Sequence, residues 1–306
     1  MAQIVLPSGL GLEYECDGDA GDPPVLMVMG FGAQLVSWPR DFCRRLASGG
    51  RYVISFDNRD CGRSQHLDGL ESHVEAIQAA LRAGDPARAR ALAPYTFSDM
   101  AADGFGLLRA LGIERAHLAG ASMGGMIAQT MAIEQPERVA TLTSMMSTTG
   151  EPEVGRSSPE ALEALLAPEP TGREAYIASA ETWLLWHSRR YPELAETRAV
   201  AAETFDRGLY PEGTRRQLAA MLASGSRADG LRQLRVPTLV IHGLDDTLIA
   251  PSGGERTAEL VPGARLLLLA DMGHDRPRPL WPELCGAILA HTAGLDGPPT
   301  PTPRSG

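Results

Sequence analysis

A chain of 306 residues with 43% hydrophobic and 22% charged side chains has the composition of an ordinary soluble globular protein and room for a substantial core. Its formal charge of −10 disfavours nucleic acid as a partner, because phosphate binding needs a basic face. All 28 basic residues are arginine, which removes Schiff-base and Ser–Lys mechanisms.

The N-terminal run Met1-Ala2-Gln3-Ile4-Val5-Leu6-Pro7 lacks the basic start and apolar stretch of a signal peptide. No apolar run approaches the roughly 20 residues that span a bilayer, so a cytoplasmic protein without a membrane partner is expected. Strands at about 4–6 and 10–16, joined at Pro7-Ser8-Gly9, read as an opening hairpin. The continuous apolar runs 25–29 and 52–56 suit strands covered on both faces, as in a parallel sheet. Between them an amphipathic helix at 38–48 stops at Gly49-Gly50. Residues 66–94 are too long for a plain loop. Leu70, Val74, Ile77 and Leu81 form a helical stripe there, which Ser72-x-x-Glu75 would start and Gly84 would end. A helix at 97–111, a strand at 116–120, a helix at 123–134 and an apolar stretch at 139–146 continue the alternation. Strands and helices at this spacing predict an α/β fold with a mainly parallel sheet and right-handed crossovers.

The rhythm breaks near residue 150. From 150 to 230 the pattern is helical, with start boxes at Ser157-x-x-Glu160 and Thr171-x-x-Glu174 and first-turn prolines at Pro192 and Pro211. It resumes with a strand at 238–241, a helix near 253–260, a strand at 265–269 and a helix near 279–291. The expected organisation is a core of 1–149 and 231–293, a helical cap at 150–230, a helical insertion at 66–94 and a disordered tail at 294–306, rich in Pro, Gly and Thr. Cys16, Cys43, Cys61 and Cys285 are scattered, so neither a metal site nor a disulfide framework is signalled.

The chemistry is concentrated in Gly120-Ala121-Ser122-Met123-Gly124, a G-x-S-x-G motif between a strand and a helix. A serine at such a turn is held in a strained backbone with its hydroxyl in the open. It is a weak nucleophile and needs a base, which in this architecture follows in the order Ser, Asp, His after late strands. His274, in a Gly-flanked loop after strand 265–269, is the candidate base; His242 reads as structural, and His66, His73 and His291 as surface residues. Asp246, after strand 238–241, is the candidate acid, with Asp245 as a rival that a one-residue shift would exchange for it. The oxyanion donors are expected to be the backbone N–H groups of Met123 and of Phe31, in the loop after strand 25–29. Gly30, Met126, Tyr176, Trp183 and Trp186 are candidates to line an apolar substrate pocket; the aromatic ones could equally form the core of the cap. No metal or cofactor is called for. A dinucleotide fold is rejected, because Gly30-Phe31-Gly32 lacks the third glycine at the required offset.

Together these motifs resemble the α/β-hydrolase family of serine esterases over about 25–146 and 235–292, and Asp57-Asn58-Arg59-Asp60-Cys61-Gly62-Arg63-Ser64 looks like that family's structural strand-end loop. More narrowly, Val28-Met29-Gly30, Ser37-Trp38-Pro39, Arg44-Arg45-Leu46-Ala47, Ala116-His117 and Ile288-Leu289-Ala290-His291-Thr292 look like segments of bacterial anthracycline (aclacinomycin) methylesterases. That resemblance maps a Ser–His–Asp triad onto Ser122, His274 and Asp246 and implies a methyl ester on an aromatic polyketide as substrate. Met29 departs from the histidine common before the oxyanion glycine elsewhere in the fold, and the 66–94 insertion and helical cap do not match obviously. The expectation is an ester hydrolase of a small apolar molecule. A lactonase, thioesterase or C–C hydrolase of the same fold is the alternative, ahead of a lyase, a cyclase or a small-molecule receptor.

Overall fold

The computed structural model describes residues 1–295; the expected tail falls largely outside them. The chain opens with the antiparallel pair β1 (Ala2–Val5) and β2 (Gly11–Asp17), which turns at Gly9 with φ 88°. Then follow β3 (Pro24–Val28), α1 (Arg40–Ser48), β4 (Tyr52–Phe56), α2 (Val74–Arg82), α3 (Pro86–Leu92), α4 (Phe97–Ala110), β5 (Ala116–Ala121), α5 (Met123–Glu134) and β6 (Val139–Met145). A long helical insert carries α6 (Pro159–Leu166), α7 (Arg173–Ser179), α8 (Leu194–Arg207), α9 (Pro211–Ser224) and α10 (Ala228–Gln233). The sheet resumes with β7 (Thr238–Gly243), α11 (Ser252–Leu260), β8 (Arg265–Leu269) and α12 (Trp281–Thr292).

The strands form one sheet in the order β1-β2-β4-β3-β5-β6-β7-β8. β2 is antiparallel to both neighbours, and every pairing from β4 to β8 is parallel. The period-2 alternation of side chains divides each apolar run between two cores. Leu26, Val28, Ile54, Phe56 and Leu118 join the cluster containing residues of α4 and α5. Val25, Met27, Val53, Ala119 and Ile241 join that of α1 and α12. This explains why these strands are apolar without interruption: neither face meets water.

Several local expectations are corrected. The helix at 66–94 is two helices, and α2 starts after His73 (φ 51°), not at Ser72; Leu70 lies before it and is exposed. The rest of the stripe, Val74, Ile77 and Leu81, packs with Ala219 and Ala223 of α9, so the short insert leans on the long one. Helix α6 is capped by Ser158, which accepts from the Ala161 N–H, whereas the Ser157 hydroxyl donates to the Leu248 carbonyl at 2.5 Å. Helix α7 begins after Gly172 (φ 90°), without a Thr171 cap, and α8 begins two residues past Pro192. His291 is buried, not superficial: it falls on the same stripe of α12 as Leu284 and Ile288 and its Nε2 meets the Leu142 carbonyl at 3.2 Å.

Candidate active site

Ser122 sits between β5 and α5 at φ 57°, ψ −124°, a conformation that L-residues rarely adopt. The glycines around it are required by close approach. A Cβ on Gly124 would collide with the Val28 carbonyl, and one on Gly125 would lie 2.6 Å from Ser147 Cβ. The helix can therefore press its first turn onto β3 and the loop after β6. The Ser147 hydroxyl in turn donates to the Ser122 carbonyl at 2.8 Å.

The loop after β3 runs directly against this turn. A Cβ on Gly30 would lie 3.1 Å from Ser122 Cβ and 3.5 Å from Ser122 Oγ. Gly30 to Ala33 form a turn closed by an Ala33 N–H to Gly30 carbonyl bond of 3.3 Å, with Gly32 third at φ 63°. The N–H groups of Phe31 and Met123 have no hydrogen-bond acceptor among the described residues. Phe31 follows Gly30, which lies against Ser122, and Met123 follows Ser122 and opens α5, where the helix dipole favours negative charge.

Ser122, Asp246 and His274 follow β5, β7 and β8, all at the carboxyl edge of the parallel sheet, where open α/β folds place ligands. His274 Nδ1 and Asp246 Oδ2 are 2.7 Å apart. Asp246 is buried, and its Oδ1 accepts the N–H groups of Leu248 and Ile249 at 2.9 and 2.8 Å. Burial pushes the carboxyl upward, but His274, His242 and their hydrogen bonds outweigh this and hold it below the usual carboxylate range. An ionised carboxylate can only accept, so the proton of the pair sits on Nδ1 and leaves Nε2 as the free basic nitrogen. Asp245 points elsewhere: it accepts the Arg189 N–H at 3.1 Å and faces the Arg189 guanidinium at 3.7 Å. His242 is fully buried, with Nε2 directed to the Ile249 carbonyl at 2.8 Å.

The proposed pocket residues divide. Gly30 adjoins Ser122, and Met126 is buried in the core cluster that includes Met123 and Ile249. Tyr176 packs with Trp183 and Phe205, at centroid separations of 6.5 and 5.8 Å, and Trp186 packs with Ala161 and Leu248. Trp186 also touches the site through its main chain, since its carbonyl accepts the His274 N–H at 2.5 Å.

Three residues near the site carry no sequence signal. The His187 backbone lies against Gly273; burial, then the charges of His274 and Arg276, lowers its pKa to about 4, so its imidazole is neutral at pH 7. Gln217 binds the loop after β3 from the long insert, and Gln34 of that loop donates to the Thr204 and Gly208 carbonyls of the insert. Their partners lie more than 150 residues away in sequence, which no local pattern reveals. Among the described residues, no group of three or more His, Cys, Asp or Glu is placed to hold a metal ion, and no helix is long and apolar enough to cross a membrane.

A strained serine on a strand-to-helix turn, with an Asp–His pair on later strands of the same sheet edge, defines a class of fold and site. Residues 23–275 match the family model of the α/β hydrolase fold, and the chain belongs to that family. It is 30% identical over 302 residues to rhodomycin D methylesterase DnrP of Streptomyces peucetius, spanning 90% of this chain and 92% of that one. Among solved structures, a thermophilic esterase from Thermogutta terrifontis superposes with a TM-score of 0.70 at 25% identity, covering 97% of this chain and 99% of the other. The enol-lactonase from Burkholderia xenovorans LB400 shares the fold at the same TM-score and 24% identity, over 95% and 99% of the two chains.

Proposed function

We propose that the chain is a serine hydrolase that cleaves a carboxylic ester of a small apolar molecule through an acyl-enzyme, with a methyl ester of a polyketide-type metabolite as the substrate class. Ser122 attacks the ester carbonyl while His274 Nε2 takes its proton; His274 returns that proton to the departing alcohol, and water then releases the acid by the same route. Asp246 holds the imidazole tautomer, and the N–H groups of Phe31 and Met123 receive the oxyanion. The long insert acts as a cap, with Trp183, Trp186, Tyr176 and Met126 beside the substrate. The observation that carries this reading is the 2.7 Å contact between His274 Nδ1 and a buried, ionised Asp246, at the sheet edge that also bears the strained Ser122. Similarity to a methylesterase supports the ester; the narrower substrate class follows from that relative's name and from the sequence resemblance.

The test is labelling with a fluorophosphonate, paired with a hydrolysis panel of bulky aromatic methyl esters, lactones and aryl acetates. Wild type should be labelled and Ser122→Ala should not, with kcat reduced roughly 10⁴–10⁶-fold and the fold retained. Wild type that resists labelling sinks the nucleophile assignment. Turnover of lactones or acetates with none of aromatic methyl esters sinks the substrate class alone.

A further inference from the structure

Several polar groups of the loop after β3 are anchored from neighbouring elements, whereas the Phe31 N–H has no hydrogen-bond acceptor among the described residues. Asn58 Nδ2 donates to the Met29 carbonyl at 2.9 Å, and the Leu35 N–H donates to Asp57 Oδ1 at 2.6 Å. Cys61 Sγ lies 3.4 Å from the Ala33 carbonyl. These anchors come from the loop after β4. Two more come from the long insert. Gln217 of α9, fully buried, accepts the Gly32 N–H through Oε1 at 2.9 Å and donates through Nε2 to the Arg59 carbonyl at 2.9 Å. Gln34 donates through Nε2 to the carbonyls of Thr204 and Gly208, at 3.1 and 2.8 Å, and its Oε1 receives Arg207 Nε at 2.7 Å.

The Gly32 N–H is the peptide group immediately after Phe31 in the turn. Fixing it fixes the plane of the Phe31–Gly32 peptide; the Ala33 N–H bond to the Gly30 carbonyl holds the preceding Gly30–Phe31 peptide, which carries the Phe31 N–H, so the two anchors together limit rotation about Phe31. With the N–H of Gly32 committed to Gln217 and that of Ala33 to Gly30, the Phe31 N–H has no acceptor among the described residues and follows Gly30, which lies against Ser122. Without the side-chain amide, the half-buried Gly32 N–H would lose its partner, and the turn could recover one within the protein only by rotating.

We infer that Gln217 is a positioning residue of the oxyanion hole, so that the docking of α9 assembles the donor pair and the insert shapes the transition state as well as the pocket. The inference rests on Ser122 being the nucleophile. A donor displaced by about 1 Å loses much of its value, because it acts only on the oxyanion of the transition state.

The experiment compares Gln217→Leu, Gln217→Asn and Gln217→Glu with wild type on p-nitrophenyl acetate. Rates are normalised to the serines that react with a fluorophosphonate, and phenylboronic acid affinity is measured in parallel. Gln217→Leu should lose roughly 10–100-fold in kcat with KM within about twofold, and boronate affinity should fall in step with kcat/KM. Gln217→Glu keeps an oxygen facing Gly32 but loses the donor to the Arg59 carbonyl and buries a carboxyl, so its rate should fall between those of Leu and wild type. Should Gln217→Leu fail to fold, Gln217→Asn, one methylene too short, gives the same comparison. Unchanged kcat per reactive serine in a folded Leu or Asn variant overturns the inference. Absence of fluorophosphonate labelling in wild type overturns the nucleophile assignment instead, so the two failures are distinct.

Discussion

The two halves of the long insert grip the sheet edge by different physics. The first half, from Ser157 to Tyr191, sits over the loops of Asp246 and His274 and is held mainly by neutral groups. Its bonds are Ser157 Oγ to the Leu248 carbonyl, Ser158 N–H to the Thr247 carbonyl, Thr247 Oγ1 to the Leu185 carbonyl, and Ser188 Oγ to the Asp271 carbonyl. Its ion pairs there, Arg190 with Asp271 and Arg189 with Asp245, have solvent-exposed arginines. The second half, α8 and α9, sits over the loops after β3 and β4 and is held by buried charge. Arg207 meets Asp57, and Arg216 Nε and Nη2 meet the two oxygens of Asp60, each at 2.8 Å, with all four side chains almost free of solvent. Neutral contacts can be exchanged one at a time, whereas a buried charge that loses its partner is left in low dielectric. The half over the His–Asp pair can therefore adjust, and the half over the Phe31 turn is fixed.

The sharpest break in that comparison lies between adjacent carboxylates. Asp246 serves the imidazole and Asp245 serves the first half of the insert. Asp246→Asn should lower kcat on the order of 10⁴-fold, because the amide stabilises the wrong tautomer of His274. Asp245→Asn should leave kcat within a few fold. Steady-state kinetics of the two variants decide the matter, and a reversed order would move the acid to Asp245.

The next effect is on stability. Arg216→Met leaves Asp60 buried and unpaired and should cost about 3–5 kcal/mol, read from denaturant unfolding. The double variant with Asp60→Asn should regain much of it. Arg190→Ala removes an exposed pair and should cost at most about 1 kcal/mol. Equal losses would mean that the two halves are not held differently.

This asymmetry also marks where the sequence was readable. Continuous apolar runs announce β3 and β4, since two-sided burial leaves few polar options, and Gly120 to Gly124 announce the strand-to-helix turn through steric need. The choice between Asp245 and Asp246 was not readable, because one residue separates them. It is made by a local turn in which Asp246 Oδ1 takes the N–H groups of Leu248 and Ile249 and turns the other oxygen to His274. Helix starts were displaced for a related reason. Ser157 fits a capping box, but tertiary structure draws its hydroxyl to Leu248 and leaves the cap to Ser158. Gln217 and Arg216 look like the solvated face of a helix until the loops after β3 and β4 are packed against them.

A further expected effect, conditional on pH, concerns Asp275, next to His274 and under the first half of the insert. Like Asp245, it is a carboxylate that attaches this half: its Oδ1 accepts the N–H groups of Ser188 and Gly273, both at 3.0 Å. Burial raises its pKa to about 6, although those two bonds and the charges of Arg276 and His274 pull the other way. A carboxyl whose pKa is higher folded than unfolded favours folding in its protonated form. Its contribution is fully present below about pH 4 and is lost as pH rises through about 6. Asp275→Asn keeps an oxygen for both N–H groups and removes the charge. It should therefore stabilise the protein on the order of 1–2 kcal/mol at pH 8 and negligibly at pH 4, followed as melting temperature against pH. A gain that is the same at both pH values would mean that the carboxylate rests there without strain, and that the first half of the insert tolerates charge as well as the second.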